Sequence, residues 1–132
     1  MKDRTLPTLL LLYGAFSLVH FIHNAEFVRD YPNLPASWSR VDVYAAWLAM
    51  TGVGIAGWLV LKRGPRIAGL VVLAVYAMLG VDSLGHYVLA PLSAHTHAMN
   101  ATILLEVGSA ALVLVEVTRQ LVSRLAGRRL HP

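Results

Sequence analysis

The sequence contains no cysteine, and only 14% of its 132 residues are charged. The absence of cysteine excludes a disulfide, a thiolate metal ligand and a redox thiol. A soluble domain of this length needs a more polar surface than so few charges provide, whereas a membrane-embedded domain does not. Apolar residues make up 57% of the chain. The composition therefore indicates an integral membrane protein.

Four long apolar runs predict four transmembrane helices. They cover about residues 6–28, 41–61, 67–90 and 97–118, and a basic tail follows over 119–132. Each run has roughly the 20 residues needed to cross ~30 Å of hydrocarbon, where only a helix satisfies its own amides. Glycines in the second and third runs predict close helix packing. We therefore predict an all-α fold, a single four-helix membrane domain over residues 1–132.

The basic residues predict how this bundle is oriented. Of the 11 Lys and Arg residues, Arg29 and Arg40 fall at one side of the predicted membrane, and the others fall at the side that carries both termini. By the positive-inside rule, both termini are expected in the cytoplasm of a multi-pass cell-membrane protein. The net charge of +4 is spread along the helix ends. This distribution fits lipid headgroups, and we expect no nucleic-acid partner.

Ionisable side chains interrupt three of the four runs. They are His20, His23 and Glu26 in the first run, Asp82 and His86 in the third, and Glu106 in the fourth. A charge at the centre of a membrane helix costs roughly 3 kcal/mol or more, so such residues usually face a site, a cavity or each other. A rise of ~1.5 Å per residue places His20, Asp82 and Glu106 at nearly one depth. We predict a polar pocket that opens to the outside. His95 and His97 belong to the last loop and are expected at the surface.

The inventory of donor groups matches a transition-metal site. Imidazole and carboxylate ligands suit iron, zinc or copper, and helix bundles hold metals with inward-facing Glu and His side chains. In this interpretation Asp82 orients His86, Glu26 is a ligand or a proton acceptor, and the metal ligands are His20, His23, His86 and Glu106. The leading prediction is a metal-binding membrane protein that acts as an oxidoreductase or a hydrolase. Haem b between His20 and His86 is a weaker alternative, since no sequence feature favours it.

The same residues support functions that need no metal. Glu26, Glu106 and the Asp82–His86 pair can supply the acid and base groups of an isomerase or cyclase that acts on a lipophilic small molecule. A proton or ion carrier also uses intramembrane acids and histidines, and with only four helices it would need a homo-oligomer. A non-catalytic membrane subunit, whose polar residues tie helices together, is a further alternative. The residues alone do not decide whether the protein is an enzyme.

One short segment resembles a known family. His23-Asn24-Ala25-Glu26-Phe27, followed by Tyr31-Pro32, is similar to the HXXEE group of small bacterial membrane proteins, whose motif has a His and two Glu in an early helix. Here His23 and Glu26 match the first two motif positions, and Phe27 replaces the second Glu. The resemblance implies a membrane location and no particular activity.

Overall fold

The computed structural model describes residues 4–129, which form helices, turns and loops without a β-strand. Five helices follow one another along the chain, separated by two loops and two short 3-10 turns. They are α1 (Thr5–Glu26), α2 (Arg40–Arg63), α3 (Arg66–Val81), α4 (Gly85–Leu89) and α5 (His97–Arg129), with the 3-10 turns at Asp82–Leu84 and Leu92–Ala94. The predicted all-α class is confirmed for this part of the chain.

Four helical stretches are long and apolar enough to cross a membrane. These stretches are Thr5–Glu26, Arg40–Arg63, Arg66–Leu89 and His97–Gly127. Many large apolar side chains face outwards, among them Leu11, Val41, Val88 and Val115. An exterior of this kind suits hydrocarbon and would promote aggregation in water. The prediction of four membrane-length helices is therefore confirmed.

The long helices run alternately in opposite directions. Gly54 of α2 lies against Tyr76 of α3, and Leu61 lies against Gly69, so these two helices are antiparallel. We call the end that carries the loops 27–39 and 90–96 the distal end, and the opposite end the proximal end. α1 packs more extensively on α5 than on α2, while α3 packs closely on both α2 and α5. The bundle is consequently least tightly closed between α1 and α2.

Three helix boundaries differ from the prediction. α1 ends at Glu26, and the third predicted helix is interrupted by the tight turn Asp82–Leu84. The last helix continues past residue 118 to Arg129, so residues 119–129 of the expected tail are helical, and 130–132 lie outside the described residues. Arg119 donates two hydrogen bonds of 2.8 Å to Glu116 one turn earlier. This pair stabilises the helix beyond its apolar stretch.

The distal loop 27–39 is held in place by hydrogen bonds at its middle and at its C-terminal end. Ser39 and Asp42 form a capping box, in which each side chain accepts a hydrogen bond from the other residue's backbone N–H. This capping box stabilises the N-terminus of α2. Asn33 adopts a left-handed conformation with φ of 57°. Its side-chain Nδ2 donates to the carbonyl of Leu89 at 2.9 Å. The loop is thereby fastened to the end of α4, above the interior of the bundle.

Close contact between α2 and α3 depends on glycine. A Cβ atom added at Gly69 would collide with the backbone of Leu61. Small residues at such positions let membrane helices approach each other, which improves their van der Waals packing. The predicted packing role of the glycines in these two helices is thus confirmed at Gly69.

Gly69→Ala should destabilise the bundle, because the added methyl group would collide with backbone atoms of Leu61, and these cannot move aside by a change of rotamer. We expect a loss of about 1–3 kcal/mol in the free energy of unfolding, measured by thermal or denaturant unfolding in detergent. Gly108→Ala is the matched control, since a Cβ atom there would meet nothing within 4 Å. Equal stability of the two variants would contradict the close contact.

Candidate functional site

A buried histidine and a buried carboxyl group face each other in the distal half of the bundle. His20 of α1 is 1% exposed and Glu106 of α5 is fully buried, and His20 Nε2 lies 3.6 Å from Glu106 Oε2. Ser83, in the turn after α3, donates a 2.6 Å hydrogen bond to the same carboxyl oxygen. Three helical segments therefore meet at this pair. The predicted common depth is confirmed for His20 and Glu106.

The surrounding hydrogen bonds assign the hydrogen on the His20 ring. Thr102 Oγ1 donates to the carbonyl of Met99 at 3.1 Å, and it lies 3.3 Å from His20 Nδ1. Because the single hydroxyl hydrogen of Thr102 is used by Met99, this oxygen must accept from His20. Nδ1 therefore carries a hydrogen, and Nε2 is the nitrogen that faces Glu106.

The His20–Glu106 pair is best described as sharing one proton. A bare carboxylate beside an Nε2 lone pair would leave an uncompensated charge in the interior, at a cost of several kcal/mol. One proton, on either Glu106 or Nε2, makes the pair neutral overall and turns the contact into an attraction. The second carboxyl oxygen, Oε1, and the Ser17 hydroxyl that faces the Glu106 carboxyl from α1 are both buried without a hydrogen-bond partner among the described residues. The pair can therefore accept or release a proton without rearranging a dense network.

His86 extends this pair towards the distal end. Its ring makes an edge contact with His20, with ring centroids 5.5 Å apart. Asn24 Nδ2 lies 3.2 Å from His86 Nε2, so the amide donates to this ring nitrogen. The sequence predicted that Asp82 orients His86. That prediction is not supported, because the residue that contacts His86 is Asn24, and within residues 4–129 no hydrogen bond or ion pair joins Asp82 to another side chain.

His95 is buried, which corrects the expectation that it lies at the surface. The turn Leu92–Ala94 folds the last loop inwards, and His95 Nδ1 donates to the carbonyl of Pro91 at 3.1 Å. The His95 ring is 6% exposed and lies 6.2 Å from His86. His97 is exposed, as expected. In the sequence, His95 falls at helical spacing on one stripe with Thr102, Glu106 and Ser109, which are all buried, so this spacing was the signal of its position.

Tyr31 also joins the cluster, although the sequence analysis did not include it among the candidate site residues. It is buried under the distal loop, with its ring centroid 4.9 Å from that of His86. Burial raises the pKa of Tyr31 to about 12, so the phenol keeps its hydrogen at neutral pH. The hydroxyl forms a hydrogen bond of 3.0 Å with His23 Nδ1. His23 is therefore directed towards Tyr31, and not towards Glu106.

A cavity of about 280 Å³ adjoins these groups between α1, α2 and the end of α3. Five polar residues line it: His20, Asn24, Asp82, Ser83 and His86. Most of the remaining lining is apolar and includes Phe21, Trp38, Val43, Met50 and Leu79. A concave site with apolar walls and a few converging polar groups is the usual form of a small-molecule site. We call this space the distal cavity.

Glu26 lies outside the distal cavity. Its Oε1 is 2.6 Å from Arg40 Nη2 and accepts a 2.8 Å hydrogen bond from the Tyr44 hydroxyl. These contacts join the distal ends of α1 and α2 at a partly exposed position. The predicted role of Glu26 as a ligand or proton acceptor finds no support in this position.

The predicted metal ligands do not converge on one point. Among the residues that the structure describes, no group of three or more His, Asp or Glu side chains is arranged to hold a metal ion. His20 and Glu106 face each other, His86 Nε2 is engaged by Asn24 and His23 by Tyr31. Binding of iron, zinc, copper or haem b stays a prediction that these nitrogen contacts do not favour.

No protein-family model, curated protein or solved structure matches the chain. The resemblance to the HXXEE group stays an untested prediction. The function has to be inferred from the geometry of the site.

The hydrogen assigned to His20 can be observed directly. In protein with ¹⁵N-labelled histidine, we expect NMR to show a protonated Nδ1 on His20, because Thr102 can only accept there. Replacement of Thr102 by Val should remove this preference. A His20 ring with hydrogen on Nε2 alone would contradict the assignment.

Proposed function

We propose that this protein is a membrane-embedded enzyme that catalyses proton transfer on a lipophilic small molecule, in the manner of an isomerase or cyclase. The observation that carries the proposal is the buried His20–Glu106 pair beside a cavity with a polar and an apolar wall. General acid–base catalysis needs a positioned group that can hold or release a proton, and a site that excludes bulk water. The His20–Glu106 pair supplies the first property, and the mainly apolar lining of the distal cavity favours the second.

The reaction would use the shared proton of the pair. A substrate in the cavity receives a proton at one carbon from the His20–Glu106 pair and loses a proton from another carbon to the same pair. Protons balance over one turnover, and the product is an isomer of the substrate. The His20 ring and His86 both line the cavity, whereas Glu106 acts on the substrate only through His20. Glu106 is thus a positioning and proton-storing residue.

The substitution Glu106→Gln tests this role of Glu106, because it keeps the contacts of the side chain and removes its proton. With its NH₂ group at the position of Oε2, a glutamine can donate one hydrogen to His20 Nε2 and the other to the Ser83 hydroxyl oxygen, so the packing and both contacts survive. Only the mobile proton is lost. This substitution therefore separates a catalytic role from a structural one.

We expect the wild-type protein to introduce deuterium into a lipid in D₂O. Purified protein in liposomes is incubated with a total lipid extract of the organism that carries the gene, and mass spectrometry follows non-exchangeable deuterium. The wild type should label one lipophilic species, and Glu106→Gln should lower the rate by about 10²–10⁴, the usual contribution of acid–base catalysis. The matched control is Glu116→Gln, the same change at a buried carboxyl in the proximal half of α5.

Two outcomes would overturn this proposal. One is equal labelling, or none, by the wild type and both variants. The other is stoichiometric iron, zinc or copper in the purified wild type that disappears in His86→Ala, which would favour the metal interpretation.

We further propose that both termini face the cytoplasm and that the distal cavity opens in the outer half of the bilayer. Lys62, Arg63, Arg66 and Arg119 lie at the proximal end, whereas Arg29 and Arg40 lie at the distal end. An excess of Lys and Arg marks the cytoplasmic side of membrane proteins.

The absence of native cysteine makes this orientation simple to measure. Ser37→Cys, in the exposed distal loop, should react with a membrane-impermeant maleimide in intact cells. Ser123→Cys, near the proximal end of α5, should react only after the cells are opened. The reverse pattern would place the termini outside.

A further inference from the structure

Asn24 and Asp82 give the distal cavity open hydrogen-bond acceptors. Asn24 donates its Nδ2 to His86, and its Oδ1 is buried without a partner among the described residues, although the side chain lines the cavity and is only 8% exposed. Ser83 gives its hydrogen to Glu106, so it offers the cavity no donor. A buried carbonyl oxygen without a hydrogen bond is costly, and such a group usually has a ligand or water as its partner.

The lining of the cavity also contains one acidic side chain and no lysine or arginine. The Asp82 carboxylate lines it and has no ion pair within residues 4–129, while the cavity lining contains no Lys or Arg. The nearest distal arginines are engaged elsewhere, Arg40 with Glu26 and Arg29 with the carbonyl of Ala36. A ligand that complements this cavity has to bring hydrogen-bond donors and a positive charge.

A second cavity continues along the same helix interface. It has a volume of about 540 Å³ and is lined mainly by apolar residues of α1 and α2, among them Leu11, Ala15, Leu18, Ile55 and Trp58. Its lining begins at Leu18 and Thr51, next to His20 and Met50 of the distal cavity. The two spaces therefore follow each other along the α1–α2 crevice, with polar groups at one end and hydrocarbon at the other.

We propose that this crevice binds a single-chain lipophilic amine. The ammonium group lies between the Asp82 carboxylate and Asn24 Oδ1, beside the aromatic rings of Phe21 and Trp38, and the alkyl chain follows α1 and α2 towards the proximal end. An ammonium ion offers three donors and no acceptor, which matches Asn24 Oδ1 and the Asp82 carboxylate, and aromatic rings add attraction for a cation. The inference deepens the proposed function by naming a substrate class for the same site.

Binding to the purified protein in non-ionic detergent tests this inference without turnover. We expect dodecylamine to raise the melting temperature and to bind more tightly than dodecanol, while dodecanoate does not bind. Asp82, although exposed, lines the cavity, and Asp82→Asn should weaken dodecylamine binding by about tenfold, the effect expected for loss of a charge-assisted hydrogen bond. Asp30→Asn, at an exposed position of the distal loop, is the matched control and should bind as the wild type does.

Chain length tests the second half of the crevice. Ala15→Leu places a larger side chain in the apolar cavity and should weaken binding of dodecylamine while leaving that of butylamine unchanged. Ala49→Leu, on α2 outside both linings, should change neither.

The results also separate this inference from the proposed function. Equal binding of dodecylamine, dodecanol and dodecanoate, or an unchanged affinity in Asp82→Asn, would overturn the proposal that the crevice binds an amine. This holds even if Glu106-dependent deuterium labelling is observed. Specific amine binding without such labelling would leave the ligand class standing and remove the proposed catalysis.

Discussion

The neutrality of the His20–Glu106 pair is the constraint on which the interior of this protein depends. A carboxyl group and an imidazole are buried in a bundle whose exterior is made for hydrocarbon, where neither can be hydrated. They are tolerable because each compensates the other, and because Ser83 donates to Glu106 Oε2 and Thr102 contacts His20 Nδ1. Removal of one partner would leave a buried charge or a buried donor without an acceptor. The contacts of this pair therefore fix the positions of α1, α5 and the turn after α3 relative to one another.

The turn at Asp82–Leu84 and the distal loop convert this pair into a site. The turn interrupts the third membrane-length helix, aims the Ser83 hydroxyl at Glu106, and sets His86 beside His20. The loop covers the cluster with Tyr31 and is fastened to α4 by Asn33. Since α1 is less tightly packed on α2 than on α5, a crevice remains there, and a lipophilic molecule has a path to the polar groups from the side.

Much of the architecture could be predicted because the membrane leaves a chain few alternatives. Only helices satisfy their amides in hydrocarbon, so run length and hydropathy were enough for the number and class of the helices. The shared depth of His20 and Glu106 followed from helical rise, since both residues lie on continuous helices of known length. Asp82 was misjudged because it lies at the break between α3 and α4, where an unbroken helix no longer gives the direction of a side chain.

The amino-acid sequence by itself determined that this chain forms four apolar helices with acids and histidines at a shared depth, because helix geometry and the cost of charge in lipid act locally. Tertiary structure alone decided which of these groups are partners. It turned His23 towards Tyr31, replaced Asp82 by Asn24 as the partner of His86, drew Glu26 into a contact with Arg40, and buried His95. Those pairings depend on loop conformation and on the rotation of each helix about its axis, and neither is encoded in a run of apolar residues.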